Sequence, residues 1–196
     1  MRQERGTVRP WSQVGFLGSA LVTACVLLVL AQSATAAVVR TEVQVRGCYV
    51  LSAPDGGVRL LLDVDISVLP GDRDIVSASL TAGGLQGLGR ATAVTAAVGT
   101  GWDGRTVAWA SPWETPGGDW VPSSAVRAPF VSATAAGAVR WNVTEVIRYL
   151  YEHQGSHGIL IFPPSERGQG FPQVPGIREA FQGSIVTVAH VENDVD

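Results

Sequence analysis

Two tryptophans, Trp113 and Trp120, bracket the hexapeptide Glu114-Thr115-Pro116-Gly117-Gly118-Asp119. Of all the chain, this stretch has the residue types best suited to holding a ligand. An exposed indole face stacks on the apolar face of a pyranose, and neighbouring carboxylates accept hydrogen bonds from sugar hydroxyls. The predicted binding residues are therefore Trp113, Glu114, Asp119 and Trp120. The same pattern also fits indoles that fold back and plug one end of a domain, and the sequence leaves both readings open. Trp102, Trp109 and Trp141 lie beside apolar, strand-like runs and are read as core packing.

Other constellations are weaker. Asp63 and Asp65, two apart on an extended strand, would stand about 7 Å from each other, between the separations of retaining and inverting glycosidases. The competing reading is a solvated face, or a carboxylate paired with an arginine such as Arg59. Asp72 and Asp74 offer oxygen ligands in a turn but lack the full spacing of a calcium loop. His153 and His157 are four apart, yet Gly155 between them ends a helix, so they do not share a helical face as zinc ligands at that spacing should. His190 has no visible partner. Asn142-Val143-Thr144 is formally a glycosylation sequon, but Asn142 is needed as a helix cap. There is no nucleophile elbow, Walker loop or dinucleotide fingerprint. No catalytic residue, metal or cofactor is predicted.

The elements that must position these residues begin after a leader. Arg2, Arg5 and Arg9 precede an uncharged apolar run from Val14 to Leu30 and then Ala34-Thr35-Ala36-Ala37. This is the order of a signal peptide, cut after Ala36. Two alternatives stay open: an uncleaved anchor, since the run is at the short limit for a membrane span, and lipidation at Cys25, which follows Val22-Thr23-Ala24. Residues 1–36 are thus read as a leader and 37–196 as one domain, secreted, periplasmic or at the cell surface. Cleavage removes three Arg and one Glu, taking the net charge from −3 to −5. Such a balance does not suit nucleic acid or anionic membranes. Cys48 is left alone in an apolar run and is read as a small buried hydrophobe.

Short apolar stretches rich in Val, Thr and Ala, broken by turn residues, predict an all-β sandwich. Strands are expected at Thr41–Leu51, Val58–Val68, Ile75–Thr81, Ala91–Val98, Thr106–Ala110, Val126–Thr134, Ile159–Phe162 and Ser184–Val191. Within Val58–Val68 alternation sends Leu60, Leu62, Val64, Ile66 and Val68 to the core and Leu61, Asp63 and Asp65 to the other face. Residues 111–124, with three Pro, two Gly and two Trp, read as a long surface loop. One short crossover helix is expected over Val143–Tyr151, with Asn142 and Glu145 forming a capping box and Gly155 beyond its end.

Three stretches taken together carry a family resemblance: Leu62-x-x-Asp65-Ile66-Ser67-x-Leu69-Pro70-Gly71 followed by Ile75-Val76-Ser77-Ala78-x-Leu80; Trp102 and Thr106-Val107-Ala108-Trp109; and Val139-Arg140-Trp141-Asn142-Val143-Thr144-Glu145-Val146-Ile147 leading to Gly158-Ile159-Leu160-Ile161. In this order and spacing the chain resembles the DNRLRE-type domains grouped with carbohydrate-binding module family 96. The resemblance implies a jelly-roll-like β-sandwich found with polysaccharide-degrading enzymes or cell-surface proteins. Joined to the Trp113–Trp120 loop, it gives the expectation of a non-catalytic module that binds a polysaccharide or cell-surface glycan. The alternatives are a structural or adhesive module contacting protein and, more distantly, a glycoside hydrolase using Asp63 and Asp65.

Overall fold

A computed structural model describes residues 37–83, 92–129, 131–132, 138–153, 158–164, 171 and 176–191. Its strands are β1 (Val38–Ser52), β2 (Val58–Val64), β3 (Asp74–Ala82), β4 (Thr92–Ala97), β5 (Val126–Pro129), β6 (Val131–Ser132), β7 (Val139–Asn142), β8 (Ile159–Phe162) and β9 (Ile185–Val191), with helices α1 (Thr144–Glu152) and α2 (Ile177–Phe181). The strands run in the order β5-β4-β8-β2-β1-β9-β3-β7-β6, and every pair is antiparallel. β1 belongs to both halves: Val38–Gln44 pairs with β9 and Val45–Ser52 with β2. A register shift between Val45 and Gly47 marks the bulge at which it changes partner.

Taking β6 as the continuation of β5 that crosses to the edge beside β7, the two halves read β2-β8-β4-β5 and β1-β9-β3-β7. That interleaving of two Greek keys is a jelly roll. The halves are called here the β8 sheet and the β9 sheet. Alternation along the strands of both supplies one shared core, which includes Val43, Leu60, Leu62, Leu80, Ile159, Ile161, Val186 and Val188. Helix α1 crosses from β7 to β8 and buries Val146, Ile147 and Leu150 in that core. Phe181 of α2 stacks on Trp141, ring centres 5.3 Å apart. Cys48 is buried in the same core as a free thiol, and burial pushes it up to about 12, which leaves it inert as a nucleophile.

Several sequence expectations need correction. The second strand stops at Val64 because the Asp65 carboxylate accepts the Ser67 N–H at 3.2 Å and starts a 3-10 turn over Ile66–Val68. Both faces of that strand are buried: Leu60 and Leu62 face the shared core, and Leu61 joins a second apolar cluster on the far side. Thr106–Ala110 is a turn, fixed by Thr106 and Val107 donating to the Asp103 carbonyl at 3.0 and 2.8 Å. The strand expected over Val126–Thr134 is divided between the sheets, with β5 beside β4 and β6 beside β7. Helix α1 starts at Thr144, and the Asn142 side-chain oxygen Oδ1 accepts the Thr144 N–H at 2.9 Å. Glu145 pairs with Arg148 instead of closing a capping box. The second short helix, α2, has no counterpart in the sequence reading. The leader, Gly155 and His157 lie outside the described residues.

Candidate functional site: the aromatic roof over the β8 sheet

The outer face of the β8 sheet is apolar. Leu51, Leu61, Val94, Ala96, Val98, Leu160 and Phe162 form a cluster with Trp113, against which Tyr49, Trp102, Val107 and Trp109 pack. Every tryptophan in the second group comes from residues 99–125, so this segment is a roof on the sheet. It descends onto the sheet at Gly117 and Gly118, whose φ angles are +94° and +108°. A Cβ on Gly117 would stand 2.9 Å from Arg59 Nη1 and 3.0 Å from the Trp109 ring. One on Gly118 would stand 3.0 Å from the Leu160 side chain. Only glycine meets both the left-handed backbone and the close approach.

The four predicted binding residues meet in this roof but have different surroundings. Trp113 is 6 % exposed and its indole N–H donates to the Ala108 carbonyl at 2.7 Å. Its ring faces are covered, so it anchors the roof and presents no stacking surface. Asp119 turns inward: its carboxylate accepts the Glu114 N–H (2.8 Å), the Thr115 N–H (2.8 Å) and the Thr100 hydroxyl (3.0 Å). Burial alone would raise this carboxyl, but those donors outweigh it and hold it below its ordinary value. Glu114 is exposed. Trp120 is 37 % exposed, is bridged to Val98 beyond the end of β4, and leans on Phe162 with ring centres 5.2 Å apart.

Arg59 was not anticipated in this place. It is 6 % exposed, with its guanidinium carbon 5.1 Å from the Trp109 ring centre and 5.2 Å from that of Phe162. Nη1 donates to the Gly117 carbonyl at 3.0 Å, and no hydrogen bond reaches the buried Nε. Desolvation pulls the guanidinium below its ordinary value, but arginine stays protonated. Trp109, Arg59, Phe162 and Trp120 thus form one continuous stack whose last member faces solvent. Cation–π contacts in a desolvated setting contribute about 2 kcal/mol, which helps offset burying a charge that has no carboxylate partner among the described residues.

The other candidates are dispersed. Asp65 lies beyond the end of β2 and pairs with Arg46, not Arg59. That pairing and the Ser67 hydroxyl hold its carboxyl down at about 2, so it cannot serve as a general acid near neutral pH. Asp63 sits in β2 opposite Gly47. Asp74 opens β3 and is exposed. His153 stacks on Tyr149, and His190 is buried with Nε2 3.0 Å from the Thr41 hydroxyl. Among the described residues no group of three His, Cys, Asp or Glu stands close enough to hold a metal ion. No protein-family model matches the chain, and no curated protein matches it.

Proposed function

We propose that the chain is a non-catalytic, exported glycan-binding module, delivered by the leader over residues 1–36 to the outside of the cell or to its surface. Its relatives, on this reading, are the DNRLRE-type domains that its motif order resembles. Trp120 is the stacking platform and the Glu114 carboxylate the adjacent hydrogen-bond acceptor. Asp119 and Trp113 are positioning residues that hold the loop.

The observation that carries this reading is the half-open Trp120 indole at the end of the Trp109–Arg59–Phe162 stack. A large aromatic surface left in solvent, yet held from behind by packed rings and a bridge to Val98, is preorganised to bind at little cost in ordering. The acidic net charge favours a glycan over nucleic acid as partner. Pull-down on a panel of insoluble polysaccharides tests the reading. Wild-type protein is retained on at least one, and Trp120→Ala is lost from it while staying folded by circular dichroism. Equal retention of the two proteins, or no retention on any polysaccharide, contradicts it.

A further inference from the structure

The first half of β1 has an open edge. Val38–Gln44 pairs with β9 on one side, while β2 begins to pair only at Val45, and among the described residues no strand lies along the other side of Val38–Gln44. Val45 N–H donates to the Ser184 carbonyl at 3.0 Å, continuing the register of β1 with β9. By the two-residue period of an antiparallel ladder, the odd-numbered residues here turn their backbone groups to β9. Val38, Arg40, Glu42 and Gln44 then turn theirs to the open edge. All four also carry exposed side chains, with Val38 58 % exposed. An unpaired edge of this length, without proline, is a template for another strand.

We infer that the occupant of this edge is the same segment of a second copy, paired antiparallel about a two-fold axis, so that the β9 sheets of two molecules join into one. Charge selects the register. Because the open-edge groups belong to the even-numbered residues, those residues must face one another across the axis. Centring the axis on Arg40 sets Arg40 against its own copy, and centring it on Glu42 sets Glu42 against its own copy; both place like charges directly opposite, which is destabilising. Centring it on Thr41 sets Arg40 opposite the partner's Glu42, and Glu42 opposite the partner's Arg40. Val38 then lies opposite Gln44 of the partner subunit, and the two Thr41 residues meet at the axis. A single register therefore places opposite charges together at both positions, and the isologous symmetry repeats the pairing.

A contact of one strand pair is small, so the association is in the weak range typical of interfaces at the low end of size. Ala36–Asp196 is a compact unit with its own core, and it can be examined by sedimentation equilibrium. The wild type forms a reversible dimer. Arg40→Glu and Glu42→Arg each weaken it by about tenfold or more, because each creates two like-charge pairs. The double variant Arg40→Glu/Glu42→Arg, which exchanges the charges, restores dimerisation, and a mixture of the two single variants forms a heterodimer. Circular dichroism checks that the monomers stay folded, as expected for exposed positions. A wild type still monomeric at about 1 mM, the weak limit of measurable affinity, overturns the inference. So do single variants that dimerise like wild type, or a double variant that fails to recover.

Discussion

The two outer faces of this sandwich are built on opposite principles. Over the β8 sheet, residues 99–125 lay down Trp102, Trp109 and Trp113, and strands β2 and β8 are buried on both sides. The β9 sheet has mainly polar and charged side chains on its outer face, with Ser79 beside Thr187 and Asn142, and Thr81 beside Arg140 and the single apolar neighbour Ile185. One face therefore carries a second core, and the other carries the residues that antiparallel sheets ordinarily turn to water. The roofed face holds a buried arginine, two positive-φ glycines and a partly exposed tryptophan.

Substitutions separate the faces, and the largest effect belongs to the roof. Trp113→Ala removes the indole from the second core and its hydrogen bond to Ala108. The expected loss is about 3–5 kcal/mol in chemical denaturation. A loss below about 1 kcal/mol would mean the roof is only loosely attached to the sheet. Asp119→Ala frees the Glu114 and Thr115 N–H groups and the Thr100 hydroxyl together. It should cost about 2 kcal/mol and increase amide exchange at Glu114 and Thr115.

The same carboxylate makes the roof acid-sensitive. The folded value of Asp119 is depressed, so its contribution is complete above the ordinary carboxylate range near pH 4 and fades as the pH falls through the lower folded value. Tryptophan fluorescence should report loosening of the roof in that window, with a smaller response in the Asp119→Ala protein. The smallest effect is expected on the bare face, where Thr187→Ala should stay within about 0.5 kcal/mol. A larger loss there would show that the β9 face is not simply solvated.

The contrast between the faces was only partly legible in the sequence. Ile159–Phe162 is legible to the residue, and residues 111–124 as a loop, because β-branched content and Pro/Gly punctuation are local signals. The roof is a tertiary effect. Alternation in Val58–Val68 assigned one face to the core, yet Leu60-Leu61-Leu62 and Ile159-Leu160-Ile161-Phe162 are unbroken apolar runs, the pattern of strands buried on both sides. Leu61 and Leu160 were thus an available hint that something covers the sheet. Thr106–Ala110 looks strand-like by residue type, but Asp103 and Gly104 before it set a turn. Nothing in the spacing of Arg59 shows that it ends between Trp109 and Phe162, since that depends on where the loop lands.

Chemical-shift mapping with a soluble oligosaccharide of a retained polysaccharide tests most directly the proposal that ligand binds on the roofed face at Trp120. On titration the Trp120 indole N–H and the Glu114 amide are expected to shift, while the Trp141 indole and the amides of Ser79 and Thr187 stay in place. Shifts confined to the β9 face, or a Trp120 signal that does not move under saturating ligand, would contradict it.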